Sequence, residues 1–232
     1  MTEHIISLSG GKDSTAMLHM MLERGEKIAA AVFFDTGWEF PQMYEHISQV
    51  ENKTGVKIWT LKPRMPFEYI MLHKPIKQKD GSTIYGKGWP SFTRRWCTQN
   101  KVDALNFFAK QYRNPVQCIG IAEDELSRVR DNPRYPARYP LIEYGVTEKL
   151  ALEYCLGLGY TWGGLYEHFS RVSCYCCPLQ NINSLKNLWK FYPQLWQKML
   201  YQDLQRPKHN LGFRGSKSLS ELNMRFFTEE FF

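Results

Sequence analysis

The sequence lacks any uninterrupted apolar run that approaches the roughly 20 residues a helix needs to cross a bilayer. Residues 1–4 also lack the basic start and apolar core of a signal peptide. The 232 residues, of which 43% are hydrophobic and 23% charged, are enough for one substantial core in a water-soluble chain. We therefore expect a cytoplasmic protein that has no membrane partner.

Acidic residues are fewer than basic ones, which gives the chain a formal charge of +7 and a pI near 9.0. A charge of this sign favours an anionic partner, and either a nucleotide alone or a nucleic acid satisfies it. A merely basic surface explains the charge equally well. The composition therefore leaves the partner open.

Cysteine is scarce, with six residues, and a cytoplasmic chain does not hold them as disulfides because that compartment keeps thiols reduced. Cys118 and Cys155 lie within apolar patterns, which predicts that both are small buried hydrophobic residues. The other four are Cys97, Cys174, Cys176 and Cys177. They come from two distant segments, an arrangement that is typical of thiolates holding zinc or an iron–sulfur cluster.

The first strand-to-helix turn lacks the spacing of a Walker A loop and joins the apolar residues 5–8 to a helical pattern at residues 14–24. Two glycines here leave backbone N–H groups at the positive end of the helix dipole, which suits a phosphate, although ordinary glycine-rich turns are common. Lys12 adds a cation, and Asp13 can hold a magnesium ion or orient the turn, so both are candidate catalytic residues. The candidate nucleotide-binding residues are Ser9, Gly10, Gly11, Lys12, Asp13 and Ser14.

Apolar runs and helical patterns alternate along the chain. Strands are predicted at residues 28–34, 56–61 and 115–121, and helices at residues 41–55, from Thr98 and from Thr147. This alternation predicts a doubly wound α/β fold with a parallel sheet and right-handed crossovers. We assign residues 1–180 to that domain, including the cysteines, and residues 181–232 to a helical extension that packs on it.

Residues 62–95 lose this periodicity and are rich in cations and aromatic residues. The mixture predicts a long irregular connection of the kind that is functional or mobile. Its cations and rings are able to grip a single-stranded or looped nucleic acid through phosphate contacts and stacking. A loop that covers the substrate, or a solvated surface with a few anchoring rings, fits the pattern equally well.

Cys97 lies just ahead of a predicted helix whose N-cap is Thr98, and it follows Arg94 and Arg95. The helix dipole and the two guanidinium groups are expected to lower the pKa of its thiol. Cys97 is therefore a candidate nucleophile as well as a candidate metal ligand.

Several segments resemble one enzyme family. Residues 9–14 resemble the Ser-Gly-Gly-x-Asp-Ser signature of the PP-loop (N-type) ATP pyrophosphatases and sulfonucleotide reductases. Residues 34–41 resemble the Asp-Thr-Gly-x-x-Phe-Pro segment of the phosphoadenosine phosphosulfate (PAPS) reductase family. Residues 120–128 resemble the family's Gly-Ile-Arg-x-x-Glu-Ser-x-Arg loop, with Ala122 where an arginine is common. The resemblance extends to about residue 180.

This resemblance implies an adenine nucleotide alpha hydrolase-like, Rossmann-like fold that binds ATP or a related adenine nucleotide, with magnesium. It also implies nucleotide-binding residues at the carboxyl ends of later strands. These are Asp35, Thr36, Gly37, Gly120, Arg128 and Arg130. Asp35 has an alternative role as a turn-forming residue.

The cysteine layout resembles that of the assimilatory adenylyl-sulfate reductases, in which a cysteine pair and a later C-x-x-C hold a [4Fe–4S] cluster. Trp96 stands where the first cysteine of that pair is expected. The implied ligands are Cys97, Cys174, Cys176 and Cys177. Cys176 is either the fourth ligand or leaves one iron open. Zinc is the alternative metal, and unliganded thiols are the alternative to any metal.

If ATP binds across its phosphates, the expected reaction is attack on the α-phosphate with release of pyrophosphate, followed by sulfur transfer, as in family members that modify tRNA or the DNA backbone. The first alternative is a sulfonucleotide reductase, although the Glu-Cys-Gly-Leu-His segment that carries the reductase thiol is missing after Cys177. The second is a non-catalytic nucleotide-binding protein. Candidate partners are the nucleotide, a tRNA or DNA acceptor, a sulfur or electron donor protein, and a second copy of the chain.

Overall fold

A computed structural model describes residues 2–129, 134–207, 209, 212–215 and 217–231. The strands are β1 Glu3–Leu8, β2 Ile28–Phe34, β3 Ile58–Leu61, β4 Pro75–Lys77, β5 Thr83–Tyr85, β6 Pro115–Ile119 and β7 Ala137–Arg138. The α-helices are α1 Lys12–Glu23, α2 Pro41–Thr54, α3 Phe67–Leu72, α4 Trp96–Ala109, α5 Pro140–Glu143, α6 Glu148–Gly157, α7 Leu165–His168, α8 Ile182–Phe191, α9 Pro193–Leu204 and α10 Leu219–Phe231. Within these ranges, no helix has both the length and the apolar character that spanning a membrane requires.

Five strands form one parallel sheet in the order β3-β2-β1-β6-β7. Strand β1 is central, because Ile6 lies opposite Ala31 of β2 on one side and opposite Cys118 of β6 on the other. Long crossovers are needed between parallel strands, and α1, α2 and α4 lie within them. The predicted parallel α/β fold is confirmed. The strand order reverses beside β1, so the carboxyl ends of β1 and β6 flank the place where open α/β sheets bind ligands.

Side chains alternate between apolar layers on the two faces of the sheet. On β1, Ile6 and Leu8 belong to the larger hydrophobic cluster, and Ile5 belongs to a smaller one. Leu105 and Phe108 of α4 close the smaller cluster. The central strands are therefore buried on both faces, which explains why they read as continuous apolar runs in the sequence.

Helices α8, α9 and α10 join the larger cluster through Leu188, Trp196 and Phe226. The Asp203 carboxylate of α9 is buried and accepts hydrogen bonds from the Trp89 indole at 2.8 Å and from the Leu219 backbone N–H at 3.0 Å. Because a buried carboxylate needs such partners, Asp203 ties α9 both to the segment before α4 and to the start of α10.

Residues 62–95 contain regular structure, so the prediction of a long irregular connection is wrong. They form helix α3 and the antiparallel hairpin of β4 and β5. The Asp80 carboxylate builds the hairpin turn by accepting the Ser82 backbone N–H at 2.9 Å. These elements have 6, 3 and 3 residues, which is too short for their periodicity to stand out in the sequence.

Two helix boundaries follow the sequence signals. Helix α2 begins at Pro41 and ends before Gly55, whose φ is +67°. Helix α6 follows Thr147, whose hydroxyl oxygen accepts the Leu150 backbone N–H at 3.3 Å. The predicted N-cap at Thr147 is confirmed.

Thr98 is not the N-cap of α4, contrary to the prediction. The helix begins at Trp96, whose ring is buried and lies 4.7 Å from the ring of Phe67. Cys97 therefore lies inside the first turn of the helix rather than ahead of it. The packing of Trp96 is a tertiary contact that no local capping signal reveals.

Candidate functional site

The glycine turn between β1 and α1 lies at the carboxyl end of the central strand. Gly10 has a φ of +80°, a backbone conformation that residues with a side chain rarely adopt, and a Cβ there would also displace the end of the Met43 side chain. The Ser14 hydroxyl donates to the Gly11 carbonyl at 3.1 Å and accepts the Ser9 backbone N–H at 3.1 Å. These bonds fold the turn onto the start of α1, the place where a helix dipole favours an anion.

The segment around α7 covers this turn. The Trp162 indole donates to the Gly10 carbonyl at 2.8 Å, and the Tyr166 hydroxyl oxygen accepts the Lys12 backbone N–H at 2.7 Å. Burial raises the pKa of Tyr166, so its hydroxyl stays neutral. The sequence predicted unpaired N–H groups here, but the Lys12 N–H is bonded to Tyr166, and a phosphate at the turn would meet this hydroxyl.

His46, on α2, packs against the Trp162 indole of the segment that covers the glycine turn. Its Nε2 lies 2.9 Å from Thr15 Oγ1, and its ring stacks on Trp162 with 4.5 Å between the centroids. Burial lowers the pKa of His46 to about 3. The imidazole is therefore neutral near pH 7, and it holds the indole that binds Gly10.

We expect the stability of the protein to fall as the pH drops below the ordinary pKa of histidine. Because the pKa of His46 is lower when folded, the unfolded chain binds the proton more readily between pH 6.5 and about 3. This linkage lowers the free energy of unfolding by about 2 kcal/mol from pH 7 to pH 5. Urea unfolding at both pH values measures the loss, and His46→Gln should lose about 2 kcal/mol less. Equal losses in the two proteins would contradict the assignment.

Three carboxylates from different segments meet beside the glycine turn. One oxygen each of Asp13, Glu125 and Glu148 lies within 4.8 Å of the other two. We call these residues the carboxylate group. Across the described part of the chain, no other three His, Cys, Asp or Glu side chains bring their ligand atoms this close. Oxygen ligands at this spacing suit a magnesium ion.

Lys12 lies against the carboxylate group. Its ammonium donates to Glu148 Oε1 at 2.7 Å and to Asp13 Oδ2 at 3.3 Å, and the residue is only 4% exposed. Asp13 Oδ1 is buried and lies 3.2 Å from the Lys12 ammonium, but it has no hydrogen-bond partner among the described residues. Burial raises the pKa of Asp13 in spite of the nearby Lys12. Lys12 is thus an ion-pair partner of Asp13, but Oδ1 still lacks a hydrogen bond, and a divalent cation would supply the missing ligand contact.

Two arginines border the outer side of the carboxylate group. Arg128, a predicted nucleotide-binding residue, forms an ion pair with Glu125. Arg171 Nη1 lies 3.6 Å from the other oxygen of Glu125. Arg130, which the sequence also indicated, lies outside the described residues. The exposed guanidinium groups leave this edge of the site suited to anions.

Gly120 lies at the carboxyl end of β6. A Cβ at this position would lie 2.8 Å from the backbone nitrogen of Ser14, so the residue must be glycine for β6 and α1 to approach. The structure thus places Gly120 against the glycine turn and gives it a packing role there.

Asp35 forms the turn that follows β2. Its Oδ1 accepts the Gly37 backbone N–H at 2.8 Å and the Tyr44 hydroxyl at 2.8 Å. Lys62 Nζ lies 4.0 Å from the other carboxylate oxygen. The side chain has the turn-forming geometry that the sequence left as an alternative to nucleotide binding.

The residues after Asp35 contact the cysteine segment. Thr36 donates its hydroxyl to Glu39 Oε1 at 2.7 Å, and Cys174 Sγ lies 3.6 Å from both Thr36 Oγ1 and Glu39 Oε1. Glu39 and Cys174 also form an isolated antiparallel β-bridge. The second predicted nucleotide turn and the C-x-x-C segment therefore lie side by side.

Burial disfavours the charged forms of the ionisable groups around these cysteines. Burial raises the pKa of the Glu39 carboxyl and lowers the pKa of the nearby Lys101 ammonium. Burial also raises the pKa of four thiols, those of Cys97, Cys174, Cys176 and Cys177. The predicted lowering of the Cys97 pKa is wrong, because desolvation outweighs the effects of the helix terminus and of Arg95. Such thiols stay protonated unless a cation binds them.

The four thiols interact electrostatically with one another but differ in exposure. Cys176 is 2% exposed within the larger cluster, whereas Cys97, Cys174 and Cys177 are partly exposed. No three of them come within 4.8 Å of one another, although thiolates around a single zinc ion are about 3.8 Å apart. Cys118 and Cys155 are buried, as predicted.

A short segment connects the carboxylate group to the thiols. The Val172 carbonyl faces Gly11, where a Cβ would lie 3.3 Å from its oxygen, and Cys174 contacts Thr36. Two residues of extended chain reach at most about 7 Å, so the C-x-x-C segment begins close to the glycine turn.

Sequence reasoning missed four residues of this site, and they are Glu125, Glu148, Trp162 and Tyr166. Glu125 stands in the segment that resembles the family's loop, but the sequence indicated Arg128 of that loop, and not Glu125, as a site residue. Glu148 follows the Thr147 N-cap, and acids are common there for reasons of helix stability alone. Tyr166 stands in a Leu-Tyr pair that resembles the family's leucine/tyrosine turn, but neither that pair nor Trp162 indicated a contact with the glycine turn.

Two relatives of this chain come from Methanocaldococcus jannaschii. The uncharacterized protein MJ0066 is 27% identical over 222 residues, which cover 90% of this chain and 43% of the relative. The uncharacterized protein MJ0973 is 25% identical over 207 residues, which cover 83% of this chain and 45% of the relative. The chain therefore spans less than half the length of these relatives.

A family model described as the phosphoadenosine phosphosulfate reductase domain matches residues 3–180. The match includes the glycine turn, the carboxylate group and all six cysteines. Membership of this family implies the use of an adenine nucleotide. The chain belongs to the phosphoadenosine phosphosulfate reductase domain family.

Proposed function

We propose that this protein transfers an adenylyl group from ATP to an acceptor, releases pyrophosphate, and exchanges the adenylyl group for sulfur. The carboxylate group beside the glycine turn is the observation that carries the proposal. A reaction that releases pyrophosphate gathers negative charge on two phosphates, and magnesium is the usual cation for them. A thiol that attacks the sulfur of a sulfonucleotide releases no pyrophosphate. That reaction therefore needs no cation to balance charge on two phosphates.

The residues present fit a magnesium ion because three carboxylates converge and one buried oxygen of Asp13 has no hydrogen-bond partner among the described residues. Asp13, Glu125 and Glu148 would hold the ion, which would neutralise charge on the phosphates. The side-chain ammonium of Lys12 lies beside the same oxygens and would balance the leaving pyrophosphate. The neutral Tyr166 hydroxyl would donate a hydrogen bond to a phosphate oxygen at the turn.

The first step forms a bond between an acceptor oxygen and the α-phosphorus and breaks the bond to the bridging oxygen of the β-phosphate. Pyrophosphate leaves with the electron pair. In the second step, sulfide from a donor attacks the acceptor carbon, and AMP leaves with its oxygen. Neither step changes the net oxidation state of the reacting atoms. The two-step reaction therefore requires sulfide but no separate reductant.

The thiols beside the site would hold an iron–sulfur cluster. Cys97, Cys174 and Cys177 are partly exposed and are not all within 4.8 Å of one another, which suits ligands that bind different irons better than ligands of one zinc ion. Cys176 is packed in the core and fits this role less well. When bound, such a cluster supplies a centre for sulfide or for electrons. The raised pKa of Cys97 also disfavours its use as the attacking thiolate of a reductase.

Product analysis tests the proposed function. Purified protein with ATP and magnesium should release pyrophosphate and AMP, because water attacks the α-phosphorus when no acceptor is present, and chelation of magnesium should stop the release. Thiol-dependent release of sulfite from a sulfonucleotide, without pyrophosphate from ATP, would assign the protein to the reductases. Tight nucleotide binding with neither product would mark a non-catalytic nucleotide-binding protein.

A further inference from the structure

A cleft of about 790 Å³ lies between the carboxyl end of β3 and helix α4. Among its described lining residues, five are cations and one, Asp103, is acidic. The cations are Lys62, Arg64, Lys74, Lys110 and Arg134. We call this feature the basic cleft. Its cations come from four parts of the chain, so the fold, and not a single charge run, gathers them.

The basic cleft also has exposed apolar surface. The ring of Phe107 on α4 is 61% exposed, and Met65 is 42% exposed. An exposed ring among cations is the combination that holds single-stranded nucleic acid, because the cations contact phosphates and the ring stacks on a base. An acidic protein would satisfy the cations but would leave the exposed ring without a matched partner.

The basic cleft adjoins the small cavity that Cys97 lines. A small cavity lined by Cys97 and Thr36 shares three lining residues with it, and these are Pro63, Ile70 and Asn100. That cavity has a volume of only about 10 Å³, too small to enclose a base, but a flexible single strand is able to direct one base or sugar to its mouth. A double helix keeps its bases stacked inside and cannot do so without unpairing.

We propose that the basic cleft binds a single-stranded polynucleotide. Its role as the acceptor that is adenylated and sulfurated rests on the proposed function, whereas the binding itself does not. RNA and DNA share the phosphate and base chemistry that the cleft recognises, so the experiment uses both. In the proposed function the glycine turn would hold the ATP, and the cleft, which adjoins the cavity at Cys97, would hold the acceptor.

Binding of a fluorescein-labelled 20-nucleotide single strand, as RNA and as DNA of one sequence, tests the proposal without ATP or magnesium. Fluorescence anisotropy at several salt concentrations gives Kd and its salt dependence. The variant Arg64→Ala/Lys74→Ala/Lys110→Ala should raise Kd at least tenfold. Its salt slope should decrease by about 2, because each phosphate contact to a single strand contributes about 0.7.

The matched control removes the same three kinds of charge from the opposite edge of the sheet. Lys27, Lys57 and Arg113 are exposed and precede β2, β3 and β6. The variant Lys27→Ala/Lys57→Ala/Arg113→Ala should keep Kd within about twofold and the salt slope nearly unchanged. Equal weakening by both triple variants, or weakening by neither, would overturn the proposal. Thermal unfolding of each variant verifies that it is folded.

Phe107 separates nucleic acid from other anions. Phe107→Ala should weaken binding about tenfold with an unchanged salt slope, and Phe107→Tyr should retain it, because stacking involves no charge. Duplex DNA that binds as tightly as the single strand, or polyglutamate that competes equally well, would overturn the proposal. A preference for RNA or for DNA supports it and identifies the acceptor.

The two proposals fail separately. Pyrophosphate release from ATP is measured on the same triple variant without oligonucleotide, and it should equal that of the wild-type protein, since none of the three cations belongs to the nucleotide site. Intact release without any strand binding would reject the basic cleft alone. Strand binding that depends on the cleft, together with no release of pyrophosphate, would reject the proposed function alone.

Discussion

An Asp13→Asn variant is expected to release pyrophosphate from ATP about 10³-fold more slowly than the wild-type protein. The substitution keeps the shape of the side chain but removes one of the three charges in the carboxylate group. An amide is a weaker ligand than a carboxylate for a divalent cation, and it does not balance Lys12. The initial rate of pyrophosphate formation at saturating ATP measures the effect, and a magnesium titration should move to higher concentrations.

The same variant should remain folded. Burial raises the pKa of Asp13, so the ionised carboxylate is less favourable in the folded chain than in the unfolded one at neutral pH. Its Oδ1 contributes no hydrogen bond within the described chain that the amide would lose. We therefore expect a Tm equal to or above that of the wild-type protein, which separates a loss of chemistry from a loss of structure.

A neighbouring acid provides the control. Glu123 is exposed and lies two residues before Glu125 in a 3-10 helix, Glu123–Arg128, outside the carboxylate group. Glu123→Gln should leave the rate within about twofold, whereas Glu125→Gln and Glu148→Gln should each lower it about 10²-fold. Unchanged release in Asp13→Asn would remove the carboxylate group from the reaction and with it the main support for pyrophosphate chemistry.

The sheet could be predicted from the sequence because its strands are buried on both faces. The run Ile28–Phe34 is continuously apolar, and Gly25 and residues 35–37 punctuate it on either side. The glycine turn could also be predicted, because Gly10 and Gly11 stand between a strand and a helix. Such features depend on residues that are neighbours in the chain, so local sequence patterns predict them.

The chemistry around Cys97 could not be predicted in the same way. Arg94 and Arg95 suggested a lowered pKa, but the effect of burial depends on what packs around the thiol. The carboxylate group has the same limitation, because Glu125 and Glu148 follow separate crossovers and only the folded sheet places them beside Asp13. Residues that act together across three segments leave no periodic signal.

A double variant Cys174→Ser/Cys177→Ser is expected to lose the metal centre. Wild-type protein purified without oxygen should contain about four irons and four acid-labile sulfides per chain, and the double variant less than about 0.5 of each. Burial holds the pKa of both thiols above the ordinary value, so they lose their protons only when a metal binds. The metal content of the wild-type protein should therefore also fall as the pH is lowered.

Two single variants complete the test. Cys118 lies fully buried in the central sheet, so Cys118→Ser should reduce stability by about 1–3 kcal/mol while the iron content stays unchanged. Cys176→Ser should behave in the same way if its thiol is a core residue, and should lose iron if that thiol is the fourth ligand. Stoichiometric zinc in the wild-type protein, lost in the double variant, would show that the cysteines hold a structural zinc ion instead of a cluster. Full iron content in the double variant would contradict the choice of Cys174 and Cys177, because serine hydroxyls cannot replace two thiolates at a buried iron site.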